Sequence, residues 1–221
     1  IFTNNLSEGL LEIQNRCLGC IAIGDPLRET LHLLAQLIEF QINSTFCSII
    51  IIDPQEHLQC IAAPNLPKEL SNAMDGITLQ EITNIFGNSL RGKSIHVSDI
   101  TNHHLQAYQN LLQSSGFSHL WVNSIPARDA KKVLGFFVLY YRDTSYPLAE
   151  EIKVISNTAY AAGLAIERNH SELKLQQQLH REQFLYQQLQ QELSDRQKAE
   201  QTLRENQRFI QRIADASPNI I

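Results

Sequence analysis

At 221 residues the chain exceeds a typical single domain of ~100 to 150 residues and falls short of two, which predicts one core with an appended segment. Its 18 Lys and Arg residues against 23 Asp and Glu leave a formal net charge of −5, where a nucleic-acid binder would carry a basic stripe. The longest apolar runs, 46–52 and 133–141, fall far below the ~18 residues of a membrane span.

Leu6, Leu10, Ile13, Cys17 and Cys20 step by four and three, so residues 4–23 are expected to form an N-terminal helix with one apolar stripe. Gly24 breaks it. Asp25 as N-cap with Pro26 at the first helical position opens a second helix, whose face is Leu27, Leu31, Leu34, Leu37 and Ile38 and whose end falls near Asn43. The β-branched run 46–53 reads as a buried strand, and turn residues Asp53-Pro54-Gln55-Glu56 lead into a second strand at 57–63, making a hairpin. Helical patches at 67–74 and 78–91 follow, punctuated by Gly76, Gly87 and Gly92. A short strand at 94–98 precedes a polar helix at 103–115 ended by Gly116. Strands at 119–127 and 133–141 are joined by the charged loop 128–132, which favours antiparallel neighbours. The second is apolar on both faces and should be central in its sheet.

Between Pro147 and Pro218 there is no proline and one glycine, Gly163, so this stretch is expected to be one long helix. A first seam runs Ile152, Ile155, Ala159, Ala162, Ile166 and Leu173. A second runs Leu175, Leu179, Tyr186, Leu189, Leu193, Leu203 and Ile210, with polar Glu182, Arg196, Glu200 and Gln207 at intervening seam positions. The step from Leu173 to Leu175 breaks the heptad, a stutter between a globular part and a coiled coil. Half of residues 176–191 are glutamine, and a helix that polar needs a partner helix to bury its seam.

The element order, with several local matches, resembles a GAF domain, a small-molecule and signal-sensing module of bacterial receptors. Residues 48–53 resemble the family's first strand and 62–67 its post-hairpin segment. His96-Val97-Ser98-Asp99-Ile100 resembles the "V-x-D-I" strand exit, Trp121-Val122-Asn123-Ser124-Ile125-Pro126 the "W-S-x-P-I" strand, and 134–142 "L-G-x-F-A-L-Y-Y-R". The helix 162–168 is similar to the closing "A-x-x-A-I-E-R". The resemblance covers about residues 20–169. Residues 199–219 resemble the opening helix of a PAS sensory domain cut at its first strand. A string of GAF, coiled coil and PAS resembles cyanobacterial multidomain sensor kinases and cyclic-di-GMP enzymes.

The resemblance implies an α+β fold with a central antiparallel sheet of about five to six strands, helices on both faces and a long C-terminal coiled-coil helix. It implies a GAF domain at 1–169, a coiled coil at 170–207 and the start of a PAS domain at 208–221. A GAF ligand sits between the sheet and the insertion helices, which makes Asp99, Trp121, Phe137, Phe86 and His119 candidate pocket residues, in a cavity expected against 74–116. The "Gly-Ser-Cys-Gly" turn of many GAF domains has its counterpart at 84–88, without a cysteine, so no covalent bilin is expected; an unknown small molecule remains the candidate ligand. The Asn-Lys…Asp-Glu pattern of cyclic-nucleotide GAF domains is missing too.

Other chemistry reads as structural. Cys17 and Cys20 have C-x-x-C spacing but lie on a helix stripe, where free cysteine packs as a small hydrophobe. His103 and His104, adjacent at a helix start, point about 100° apart and cannot readily share a metal ion. His170-Ser171-Glu172-Leu173 departs from the kinase box "His-Glu-Leu-x-x-Pro" by its serine and its missing proline. No phosphate loop or nucleophile pair appears, so this segment is not expected to be an enzyme. The four cysteines all precede residue 61, which suits a reducing, cytoplasmic setting rather than a disulfide scaffold. The first residues offer no initiator methionine and no charged segment before an apolar one, so no signal peptide is expected and the chain reads as part of a longer protein.

The expected role is a sensor and dimerisation module of a two-component sensor histidine kinase, with downstream PAS and output domains. Alternatives are a structural spacer whose pocket is filled by Phe86, Trp121, Phe136 and Phe137, or the same module in a diguanylate cyclase or phosphodiesterase. A parallel homodimer is expected through the Leu6, Leu10, Ile13 seam and the Leu189, Leu193, Leu203, Ile210 seam.

Overall fold

The leucine stripe after Pro26 forms α1 (Leu27–Gln41), which buries Leu31, Leu34, Ala35, Leu37 and Ile38 on one face. In the computed structural model, which describes residues 19–20, 24–42, 45–86, 94–97, 106–129, 132–142 and 147–216, the cap differs from the sequence expectation. Pro26 itself takes the N-cap position with extended backbone and no side-chain cap bond, and its carbonyl accepts from Glu29 and Thr30. The N-terminal helix residues Leu6, Leu10 and Ile13 lie outside the described residues, as does Asp99.

The strands are β1 (Thr45–Ile52), β2 (Leu58–Ala62), β3 (Ser94–Val97), β4 (His119–Pro126) and β5 (Val133–Tyr141). Among the described residues they form one antiparallel sheet in the order β2-β1-β5-β4-β3. The two-sided apolar strand β5 is central, paired with β1 from Gly135 to Tyr141 and with β4 on its other edge. At Gly135 a Cβ would collide with the Ile50 carbonyl oxygen, so the close approach of β5 to β1 needs glycine there.

The β1–β2 turn is built by Asp53, whose Oδ1 accepts the backbone N–H groups of Gln55 and His57 at 2.8 Å each, while Glu56 takes a left-handed φ of 63°. The outer edge of β2 is covered in a way the sequence did not announce. Leu58 N–H donates to the Ile77 carbonyl, Gly76 N–H to the Leu58 carbonyl, and Cys60 N–H to Asp75 Oδ1 at 2.7 Å. From Leu58 to Cys60 the edge is thereby occupied and unavailable as a ladder for another chain. Thr78 then bridges to His57 and starts α3 (Leu79–Phe86) with a capping box: Thr78 Oγ1 accepts from Glu81 N–H, and Glu81 Oε2 accepts from Thr78 N–H at 2.8 Å.

Helices cover both faces. α1 and the first turns of α5 (Ala149–Ala216) lie on one, with Ile155, Ala159, Ala162 and Ile166 buried against Ile49, Phe137 and Leu139. α2 (Lys68–Asn72), α3 and α4 (Gln106–Ser114) lie on the other, where Leu70, Ile82 and Leu112 meet Ile50, Phe136 and Val138. At Gly163 a Cβ would strike the Pro126 carbonyl oxygen, so this glycine lets α5 sit directly on the end of β4. The chain divides into two compact units, Ile1–Asn169 and His170–Ile221. The second is helical as far as Ala216, and residues 170–193 are exposed throughout. Among the described residues no helix is long and apolar enough to cross a membrane.

Candidate functional site

Both sheet faces bury polar groups. Thr45 and Asn123 stand opposite Tyr141 and Phe137 on the face under α1 and α5, whereas the face under α2–α4 carries a connected cluster of hydroxyl groups in its interior. Alternation along β1 and β5 brings Ser48 and Tyr140 to that second face, and Tyr108 descends onto them from α4. Tyr140 Oη lies 3.0 Å from Ser48 Oγ and 2.9 Å from Tyr108 Oη, with all three residues buried. Phe117 stacks obliquely on the Tyr140 ring at 5.5 Å and meets the edge of Phe46 at 5.2 Å. Exposed Arg142 closes this end of the layer, its guanidinium 5.1 Å from the Phe46 ring centre and 5.7 Å from that of Phe117.

Burial raises the pKa of both tyrosines, outweighing at Tyr140 the hydroxyl contacts that favour its ionised form. Cys60, on β2 and partly buried against this cluster, is pushed up to about 11 by desolvation and then by the Asp75 carboxylate. Near neutral pH these groups are therefore uncharged hydrogen-bonding groups and supply no general acid or base. Such a cluster fixes the packing beneath α2–α4; acid–base catalysis would need a pKa closer to the working pH. Cys47, on the opposite face, has its thiol raised by complete burial and then by Glu39, whose Oε1 accepts the Cys47 N–H at 2.8 Å. Among the described residues no three His, Cys, Asp or Glu side chains gather to hold a metal ion.

The residues named from sequence fall differently from expectation. Trp121 and Phe137 pack in the layer under α1 and α5, away from α2–α4. His119 shares that face, because it stands directly opposite Tyr141 as Trp121 stands opposite Leu139, and both partners belong to the same layer. Phe86 ends α3 with its side chain outside the described set, and Asp99 is outside it altogether. Of the residues offered as filling a pocket whose side chains are described, Phe136 is the one that faces α2–α4. The hydroxyl cluster went unnoticed because its members are 92 and 32 residues apart and share no local pattern. In the second unit Leu189, Leu193, Leu203 and Ile210 are all more than half exposed.

No family model matches the chain. It is 33% identical over 178 residues to the methyl sulfide methyltransferase-associated sensor of Methanosarcina acetivorans, a match covering 79% of this chain and 18% of that protein. The chain thus spans under a fifth of the length of that relative. Its solved structural neighbours include a domain of a two-component sensor histidine kinase protein from Sinorhizobium meliloti, with a TM-score of 0.56 at 18% identity over 69% of this chain and 99% of that one. A phycoerythrobilin-bound GAF domain of a cyanobacterial phytochrome matches with a TM-score of 0.56 at 15% identity, covering 74% and 97%. The GAF domain of an Acinetobacter phosphoenolpyruvate-protein phosphotransferase matches at 0.55 and 16%, covering 73% and 94%. The fold is that of GAF domains.

Proposed function

We propose that the chain is the sensory and dimerisation segment of a two-component sensor histidine kinase. In this reading a GAF domain at 1–169 registers a small molecule or other signal, a coiled coil at 170–207 relays it, and 208–221 begin a PAS domain. The segment is cytoplasmic, carries no catalysis of its own and works as a parallel homodimer.

The supporting observation is the division of labour along α5. Ile155, Ala159, Ala162 and Ile166 are part of the buried core, whereas Leu189, Leu193 and Leu203 stand 54%, 51% and 59% exposed on the same helix. A seam of that length left in water calls for a second helix. Because one helix carries both parts, a change in its packing on the sheet is also a change at the seam. The sensor relative and the sensor-kinase neighbour point the same way.

A specific observation favours a second reading, the structural spacer: Tyr140, Phe136 and Tyr108 fill the interior of the sensing face with the chain's own side chains. Native mass spectrometry beside the denatured mass, with sedimentation at tens of micromolar, separates the readings. A dimer carrying extra non-covalent mass is expected. A dimer of bare chains whatever small molecules are supplied supports the spacer, and a monomer overturns the dimerisation role. Replacing Leu189 and Leu193 together by lysine should dissociate the dimer and leave the sheet domain folded.

A further inference from the structure

The exposed seam of the second unit is interrupted at one place by two consecutive charged positions. Counting by fours and threes, Leu189, Leu193, Arg196, Glu200 and Leu203 occupy successive seam layers, so a basic and an acidic layer lie side by side between leucines. In the single chain these two side chains form an i,i+4 pair, Arg196 Nε to Glu200 Oε1 at 3.6 Å, with 78% and 55% of their side-chain surface exposed. A surface pair of that kind adds little to a lone helix, so helix stability alone does not account for charges placed in the seam.

Facing a second copy changes their meaning. In a parallel two-stranded coiled coil a side chain at the Arg196 position enters a hole formed by four residues of the facing helix. In register, those four are the partner's Leu193, the partner's Arg196, the partner's Gln197 and the partner's Glu200. Each guanidinium then has a carboxylate on its own helix and another across the seam, and the four charges sum to zero. A slip of one heptad keeps one of the two cross-helix pairs. It strands the other arginine among Tyr186, Leu189 and Leu193 positions and sets the other glutamate opposite Gln207, between Leu203 and Ile210 positions. Stranding charges in an apolar seam is the kind of penalty that sets register, and register is the best-attested use of buried polar layers. An antiparallel pair centred between 196 and 200 would also match these charges and keeps Leu193 on Leu203, but it sets Gln207 against leucine 189. The parallel pair keeps leucine on leucine at 189, 193 and 203.

We infer that Arg196 and Glu200 form a self-complementary charged layer that docks a second copy of this chain in parallel and in register. This rests on the homodimer reading above and adds to it the residues that choose the pairing. These two adjacent layers supply both signs in equal number, which fits a second copy of the same helix.

The test uses the whole 221-residue chain as Arg196→Glu, as Glu200→Arg and as an equal mixture of the two, with circular dichroism to confirm that each is folded. Each variant alone brings four like charges together and should raise the dimer dissociation constant by roughly tenfold or more. The mixture places two acids against two bases and should restore a heterodimer. Separately, Gln207→Cys should give on mild oxidation a disulfide between the two substituted positions, identified by peptide mapping. If the unmutated chain is monomeric, the homodimer reading fails. If it is dimeric while both charge variants dimerise unchanged, or their mixture fails to associate, the charged layer is refuted and the homodimer stands. A dimer that does not crosslink at 207 refutes the parallel, in-register pairing.

Discussion

Tyr140→Phe removes one oxygen and should cost more than either of the substitutions flanking it. The Tyr140 hydroxyl is the hub of the buried cluster, at 3.0 Å from Ser48 Oγ and 2.9 Å from Tyr108 Oη, and no bond joins the two outer members directly. Its loss breaks both hydrogen bonds and leaves two hydroxyls without these partners in residues only 0% and 5% exposed. With a net ~0.5 to 1 kcal/mol for each bond and ~1 kcal/mol for each orphaned group, the expected destabilisation is about 3 to 4 kcal/mol. Tyr108→Phe and Ser48→Ala each break one bond and leave Tyr140 paired with the remaining member, so each should cost only about 1 kcal/mol. For a unit of this size that is a fall in Tm of roughly 6 to 16 °C against roughly 2 to 4 °C. The single tryptophan, Trp121, lies in the sheet of the first unit, so its fluorescence in urea follows that unit without interference from the exposed helix. In a background already carrying Ser48→Ala and Tyr108→Phe, Tyr140→Phe should be nearly neutral, because no hydroxyl is left to orphan. A Tyr108→Phe loss equal to that of Tyr140→Phe would refute the hub argument.

Gly163→Ala would ordinarily strengthen a helix by about 1 kcal/mol, but here the new Cβ meets the Pro126 carbonyl oxygen, so a net loss of about 1 to 3 kcal/mol is expected; a raised Tm would refute the close packing of α5 on β4. The Cys60 thiol, pushed up from its ordinary value to about 11 by desolvation and then Asp75, holds its proton more tightly folded than unfolded. Its contribution is therefore full below the unfolded pKa and lost as pH rises through about 11; Cys60→Ala should flatten the fall in stability above pH 9, and an unchanged slope would count against it. The purified chain should show no visible absorption band that survives acid denaturation, since Cys47 is wholly buried and no cysteine follows Cys60; a surviving band would disprove this.

How far the sequence could be read depended on whether a signal was local. The leucine stripe of α1, the β-branched run of β1 and the breaker-free stretch of α5 each carry their periodicity within one segment, and the structure forms helix, strand and helix there. The central place of β5 was legible because a strand apolar on both faces must be covered twice. The same two-sidedness hid which face meets which helices: with no polar residue to mark a side, Phe136 and Phe137 read alike, and it is Phe136 that meets α2–α4. Trp121 was carried by a resemblance that located its strand without resolving its direction, and its pairing with Leu139 settles the face. The covering of β2 was invisible for a different reason. It is made by backbone groups of 76–79 and one carboxylate, Asp75, and side-chain patterns do not report where backbone hydrogen bonds go.

The two faces remain mechanically joined through β5. Tyr140, the hub under α2–α4, is flanked in sequence by Leu139 and Tyr141, which point the other way into the layer shared with Ile155, Ala159 and Ile166 of α5. A sheet is one residue thick, so Tyr140 cannot shift along its normal without carrying those neighbours with it, and close packing leaves little slack to absorb the movement. The opposite edge of this coupling is equally tight, since Gly163 seats α5 on the Pro126 carbonyl with no room for a methyl group. Whatever shifts Tyr140 along the sheet normal must therefore repack the buried face of α5. The hub substitution consequently tests this coupling as well as stability: a Tyr140→Phe chain held below its melting range should show altered exchange of amide protons along residues 155–166, and unaltered exchange there would uncouple the two faces.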